Sequence, residues 1–188
     1  MMKITIKKSI TLTAMVAVIG VAGLLFGLGE NQAQTNYTEI RGSMENYSVD
    51  FLAQNTPYAI VGLVKQITPI IVEDEGSKRV FSDIILDVQK DLNGNYKEKQ
   101  ITVRISGGSI NGITTVSDVD ADFQKNERVL IFVAEKELDS IWGDNYYVAG
   151  LYQGKFKLSN GNAYGHEFEK GIVESDLIEK IQKARSLN

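Results

Sequence analysis

The sequence predicts a mainly β fold, a five- to six-stranded antiparallel barrel, and three patterns carry this prediction. Apolar and polar residues alternate over 80–89 and again over 101–106, which is typical of half-buried strands. Asn93 and Gly94 lie between these segments and tolerate the positive φ of a tight turn, so the two strands are predicted to form a hairpin. A third segment, 128–134, is almost continuously apolar, which indicates a central strand covered on both faces.

The N-terminal segment, residues 1–29, is predicted to be either a transmembrane anchor or a signal peptide. Lys3, Lys7 and Lys8 precede an uncharged apolar run over 9–29. A run of about 21 residues is long enough to cross a bilayer as a helix, and it exceeds the apolar region of most signal peptides. The basic flank favours a cytoplasmic start. Both interpretations place the domain that follows outside the cytoplasm, either anchored in the membrane or secreted.

Residues 30–46 are polar and are predicted to form a stalk between the membrane and the folded domain. Asn36 and Asn46 each begin an Asn-X-Thr or Asn-X-Ser sequence, the acceptor pattern for N-glycosylation. So short a pattern also arises by chance. The two asparagines are therefore candidate glycosylation sites whose use depends on the host.

Residues 47–165 contain the predicted barrel domain. Residues 47–54 predict one or two helical turns, which end before Pro57 because proline disfavours helix at the preceding residue. Residues 58–67 predict a strand, and the glycine inside it, Gly62, is typical of a bulge or bend. Residues 107–126 are polar and glycine-containing, and we expect a long connection there.

The end of the chain, residues 166–188, is predicted to form an amphipathic helix. Ser175 is positioned to cap it, acidic residues lie near its start and basic residues near its end. Its apolar stripe consists of Leu177, Ile178, Ile181 and Ala184. We expect this stripe to pack on the barrel or on a partner.

Four strand and turn sequences carry a resemblance to a known family. They are Tyr-Ala-Ile-Val-Gly-Leu-Val at 58–64, Asp-Val-Gln-Lys-Asp-Leu-Asn-Gly at 87–94, Ile-Thr-Val at 101–103 and Glu-Arg-Val-Leu-Ile-Phe at 127–132. Over about residues 50–160 the chain resembles extracellular netrin-like domains, which are OB-type barrels and include the tissue inhibitors of metalloproteinases. The resemblance implies an OB-like barrel that binds through its loops. Those inhibitors present an N-terminal cysteine to the catalytic zinc, and this chain has none, so their inhibitory chemistry is not implied.

Composition excludes several classes of function. Without Lys3, Lys7 and Lys8, the chain has 17 basic residues against 24 acidic ones, which is a poor balance for neutralising nucleic-acid phosphates. The absence of cysteine excludes disulfides, thiolate metal sites and a cysteine nucleophile. No Gly-X-Ser-X-Gly elbow supports a serine hydrolase. His166, the only histidine, stands in no zinc-binding spacing, and we expect it to be a surface residue.

Three alternating carboxylates, Asp118, Asp120 and Asp122, are the candidate metal ligands. Calcium-binding loops use this spacing because a hard cation needs several oxygens on one side of a turn. The EF-hand pattern then fails, since Phe123 replaces the turn glycine and Val129 replaces the bidentate glutamate. The two interpretations are a calcium site and a solvated acidic loop. No other cofactor is expected.

The loop around Trp142, Asp144, Asn145 and Tyr146 is the candidate ligand-binding site. Exposed aromatics beside polar loop residues recognise sugars or protein surfaces, although the same rings could fill the end of a barrel. The sequence therefore predicts a non-catalytic binding domain for a protein or glycan at the cell surface, with no nucleic-acid partner. The alternatives are an accessory subunit of a membrane complex and an enzyme of unidentified class.

Overall fold

A computed structural model describes residues 3–7, 36–74, 77–136 and 142–187. It contains twelve strands within these ranges: β1 Lys3–Lys7, β2 Asn36–Ser43, β3 Tyr58–Asp74, β4 Ser77–Asp91, β5 Gln100–Ser106, β6 Gly108–Ile110, β7 Ile113–Ser117, β8 Arg128–Ala134, β9 Tyr147–Val148, β10 Lys155–Ser159, β11 Asn162–Tyr164 and β12 Ile172–Val173. The helices are α1 Val49–Asn55 and α2 Glu174–Arg185, with a 3-10 turn at Leu151–Gly154. The mainly β prediction is confirmed.

The larger sheet has the strand order β12-β11-β10-β8-β3-β4-β5, and β9 also pairs with β8. The predicted hairpin is confirmed: β4 and β5 pair antiparallel, with Phe81 opposite Ser106 and Asp87 opposite Gln100. The ladder between β3 and β4 shifts register between Val61 and Gly62, which confirms the bulge expected at this glycine. A Cβ on Gly62 would lie 2.9 Å from the Asp87 carbonyl oxygen, so the two backbones can approach this closely only at a glycine.

The predicted closed barrel is wrong for the part of the chain that the structure describes, because the ladders form an open sheet. At the end of this sheet, β5 is linked to the segment before β9 by a single bridge between Val103 and Tyr146, where the Arg104 amide donates to the Tyr146 carbonyl at 2.8 Å. One bridge is too short to continue the ladder. The sequence predicts individual strands, whereas closure depends on how far the last pair of strands runs together.

A smaller sheet has the order β1-β2-β7-β6, and it corrects two predictions. Part of the expected stalk, residues 30–46, is strand β2, which pairs parallel with β7. The connection expected at 107–126 contains β6 and β7, which pair antiparallel. The Val80 amide donates to Thr115 Oγ1 at 2.8 Å, so this sheet lies against β4.

The strand β8 separates two hydrophobic cores, as its continuous apolar sequence predicts. Leu130 and Phe132 lie in the core on the helical side of the sheet, together with Leu52 of α1 and Leu177 and Ile181 of α2. Alternate residues of β8 enter the core on the opposite face, which contains Val129, Ile131, Val133, Ile60, Ile84 and Val103. Both faces of this strand are therefore covered.

Two helices are found in the described ranges, near both predicted positions. In α1, Ser48 Oγ accepts from the Phe51 amide at 3.1 Å and caps the N-terminus. The C-terminal helix α2 buries Leu177, Ile181 and Ala184. Its N-cap position is Val173, two residues before the predicted cap Ser175, because β12 leads directly into the helix.

No helix in the described part of the chain is long and apolar enough to cross a membrane. The apolar run over 9–29, predicted as an anchor or signal peptide, lies outside the described residues.

Candidate functional site

Three half-buried tyrosines meet beside the bridge between β5 and Tyr146, and we call Tyr58, Tyr96 and Tyr146 the tyrosine cluster. The ring centroids of Tyr58 and Tyr96 are 5.3 Å apart, those of Tyr58 and Tyr146 are 6.0 Å apart, and those of Tyr96 and Tyr146 are 6.2 Å apart. All three pairs meet edge to face, with interplanar angles of 77°, 86° and 76°. This is the geometry that the aromatic quadrupole favours, so the rings support one another.

Each tyrosine comes from a different structural element. Tyr58 is the first residue of β3, and Tyr146 forms the bridge to β5. Tyr96 lies in the turn after β4, where Asp91 Oδ2 accepts from the amides of Asn95 and Tyr96 at 2.8 and 2.9 Å. The carboxylate at the end of β4 therefore fixes the turn that presents Tyr96, and the core beneath β4, β5 and β8 supports the cluster from below.

Burial and neighbouring groups raise the pKa of two of the clustered tyrosines, Tyr96 and Tyr58. Loss of hydration raises the pKa of Tyr96 to about 12, with smaller contributions from Tyr146 and Glu98. Burial also raises the pKa of Tyr58, helped by Tyr146 and Glu135. The Tyr96 hydroxyl donates to the Gln100 carbonyl at 2.9 Å, which further favours its protonated form. The Tyr96 and Tyr58 hydroxyls therefore stay protonated well above physiological pH.

Tyr96 is predicted to be among the last tyrosines to ionise. Folding raises its pKa from 10.0 to about 12. The associated stability is complete below about pH 10, the unfolded pKa of tyrosine, and is lost as the pH rises toward about 12. Ultraviolet absorbance of tyrosinate should show a late-titrating component that Tyr96→Phe removes, and alkaline unfolding should be shallower in that variant. An unchanged late component in Tyr96→Phe would contradict this assignment.

Lys136 adds a positive charge to the cluster. Its Nζ atom lies 5.2 Å from the centroid of the Tyr146 ring, within the range of a cation–π interaction. The Lys136 side chain is exposed, so the ammonium group remains hydrated while it covers one face of the ring. The site thus combines aromatic surface and one cation.

The sequence-predicted binding loop is only partly available to a ligand. Trp142 is 7% exposed and stacks on Tyr147 at 4.5 Å, with an interplanar angle of 8°. The interpretation of Trp142 as an exposed contact is therefore wrong, and its ring fills a core that contains Phe81, Val119 and Leu151. Asn145 Nδ2 donates to the Trp142 carbonyl at 2.7 Å, so this amide stabilises its own loop. Asp144 is exposed and Tyr146 belongs to the tyrosine cluster.

The three candidate metal ligands have different surroundings. Asp118 Oδ1 accepts from the Gly42 amide at 3.2 Å, and Asp120 Oδ2 accepts from Ser117 Oγ at 3.0 Å. Burial raises the pKa of Asp120, and hydrogen bonds from Ser106 and Ser117 oppose this shift. Asp122 is exposed, and no group of three or more metal-ligating side chains is found among the described residues. The geometry gives no support to the calcium interpretation.

The glycosylation candidates occupy different positions. Asn46 is exposed in the segment before α1. Asn36 is the first residue of β2 and pairs with Ile113 of β7.

The sequence interpretation missed Tyr58 and Tyr96. The sequence around Tyr58 predicts only a strand, and Tyr96 lies in a turn without an alternating pattern. One local signal was available: an aspartate five residues before Tyr96, followed by Asn93, Gly94 and Asn95, is typical of a turn closed by a carboxylate on backbone amides. Their convergence with Tyr146 depends on the bridge to β5.

In comparisons with known proteins, the chain matches no family model, no curated protein and no solved structure.

Proposed function

We propose that the chain is a non-catalytic binding domain, located outside the cytoplasm, that recognises a protein through the tyrosine cluster. The observation that carries the proposal is the convergence of three tyrosines and Lys136 beside the loop at 142–146. Tyrosine provides large contact area and a hydrogen-bonding hydroxyl at low entropic cost, which is why it is frequent at binding surfaces. The core beneath the rings holds them in place before a partner binds.

Lys136 favours a protein over a glycan as the ligand. A sugar ring packs on an open aromatic face, and the Lys136 ammonium occupies one face of Tyr146. A protein surface can instead pair a carboxylate with Lys136 and pack apolar side chains against the tyrosine rings. The proposal includes a distant relation to netrin-like OB domains, in which this chain would form an open sheet in place of the closed barrel. Domains of that family bind through their loops, which agrees with binding near the loop at 142–146.

The test uses the full-length tagged chain, extracted from its native membrane with mild detergent and analysed by mass spectrometry for associated proteins. We expect a partner whose affinity falls by at least about tenfold in Tyr96→Ser/Tyr146→Ser, because aromatic anchors dominate interface energies. Tyr37→Ala is the matched control, since Tyr37 is 50% exposed on β2 and outside the cluster. Equal binding by a folded cluster variant would refute the proposal. Binding to a glycan array, lost in the same variant, would assign the cluster to sugars instead.

The same preparation tests the placement of the domain. An intact mass that includes residues 1–29 would support a membrane anchor, and a mass lacking about 30 residues would support a cleaved signal peptide. A stoichiometric membrane partner that persists in the cluster variant would favour the alternative proposal, an accessory subunit held through other surfaces.

A further inference from the structure

A second group of aromatic side chains lies at the N-terminal end of α1, and we call Tyr47, Phe51, Tyr152 and His166 the aromatic face. Tyr47 and Phe51 stack with centroids 5.0 Å apart and an interplanar angle of 10°. Tyr152 and His166 meet edge to face at 5.1 Å and 88°. Phe51 is 46% exposed and Tyr152 is 36% exposed. The exposed parts of these two rings are apolar surface that a partner can cover.

Long-range hydrogen bonds bring together the chain segments that carry the two aromatic pairs. The Tyr47 amide donates to Gln153 Oε1 at 2.7 Å, and Gln153 Nε2 donates to the Glu45 carbonyl at 2.9 Å. The Val49 amide donates to Glu167 Oε2 at 2.5 Å. Gln153 follows Tyr152 and Glu167 follows His166, so these bonds bring the neighbours of both pairs against the start of α1. Gln153 is 3% exposed, which makes the connection a buried one.

The surroundings of the aromatic face are acidic. The exposed carboxylate residues on its elements are Glu45, Asp50, Glu167 and Glu169. Against them stand the exposed Lys170 and the half-buried Lys180, whose Nζ atom pairs with Asp50 Oδ2 at 2.9 Å. The segments that carry the exposed rings therefore have more acidic than basic side chains.

We propose that the aromatic face binds a positively charged segment of another protein, through arginine or lysine side chains. A guanidinium or ammonium group over an exposed aromatic ring gains a cation–π interaction, and the acidic rim attracts the same charge. The chain already contains two such contacts, Lys136 over Tyr146 and Lys155 over Phe123. This surface uses other residues than the tyrosine cluster, so it goes beyond the function proposed above and stands independently of it.

The test measures binding of a fluorescent octa-arginine peptide to the full-length chain in non-ionic detergent by fluorescence anisotropy. We expect saturable binding that weakens as salt rises, and an octa-glutamate peptide should not bind. Phe51→Ala/Tyr152→Ala leaves the net charge unchanged and should weaken binding about tenfold, through loss of two cation–π partners. Glu45→Gln/Glu169→Gln should also weaken it.

Two controls separate this surface from general electrostatic attraction. Glu73→Gln/Asp122→Asn removes the same charge from exposed positions elsewhere and should leave the affinity within about twofold, since screening makes distant exposed charges small contributors. Tyr146→Ala, in the tyrosine cluster, should also leave octa-arginine binding unchanged. Equal loss in the charge control, or full binding by a folded Phe51→Ala/Tyr152→Ala variant, would overturn the proposal.

Discussion

Gly154→Ala will lower the free energy of unfolding by at least about 3 kcal/mol, because the added methyl group has no space. A Cβ at this position would lie 1.8 Å from the Ala149 carbonyl oxygen and 3.2 Å from Val148 Cγ1. Ala149 cannot move away easily, since its amide donates to the Phe132 carbonyl of β8 at 2.9 Å. The change therefore disturbs the connection between β9 and β10 and the central strand. Urea unfolding followed by circular dichroism measures the loss.

Gly94→Ala is the matched control for this prediction. Gly94 has the reverse properties: its φ of +70° lies in the left-handed region, which Gly154 does not adopt, and no atom lies within 4 Å of its added Cβ. We expect a loss of about 1 kcal/mol, which is the cost of a left-handed conformation in an alanine. If the two variants lost the same stability, the contact with Ala149 would not be the cause of the Gly154 effect.

Lys155→Met will lower the free energy of unfolding by about 3 kcal/mol, because it leaves a buried carboxylate without its cation. Lys155 Nζ lies 2.9 Å from both carboxylate oxygens of Glu127, and it also donates to the Asp122 carbonyl. The side chains of Lys155 and Glu127 are only 14% and 6% exposed. The pair joins β10 to the loop before β8. The same urea experiment, at neutral pH and two salt concentrations, measures the effect.

The double variant Lys155→Met/Glu127→Gln should recover about half of this loss. It removes the unpaired charge, and glutamine retains an oxygen that can accept from the Gln124 amide, which Glu127 does now at 3.1 Å. A double variant no more stable than Lys155→Met would show that packing of the lysine stem, rather than the charge, accounts for the single-variant effect.

Sequence patterns predicted the elements whose signal is local. The apolar run of β8 gave its bounds, Arg128–Ala134, because a strand covered on both faces needs no alternation. The strand β7 was missed because its sequence, Ile-Thr-Thr-Val-Ser, does not alternate between apolar and polar residues, although Ile113 and Thr115 are the buried positions in the structure. Its parallel partner β2 is more than 70 residues away in the chain, and no local signal reports such a pairing.

The candidate site was less predictable than the fold, because it depends on burial. The sequence predicts Trp142 to be an exposed aromatic residue in a polar loop. Phe81, Val119 and Leu151, from three other parts of the chain, cover it. Tyr146 was identified, but its partners Tyr58 and Tyr96 belong to segments that meet only after β3, β4 and β5 have paired.

The pairing of β1 with β2 has a consequence for the apolar run between them. Lys7 lies opposite Glu39, so the two flanks of the run meet on one side. A helix of about 21 residues that crosses a bilayer once holds its ends about 30 Å apart, on opposite sides. If the run crosses a bilayer or is cleaved off, β1 therefore cannot pair with β2, and β2 becomes an edge strand with unpaired backbone groups. In that case the exposed side chains of Glu39 and Arg41, which form an ion pair at 2.7 Å, disfavour pairing of this edge with strands of other chains.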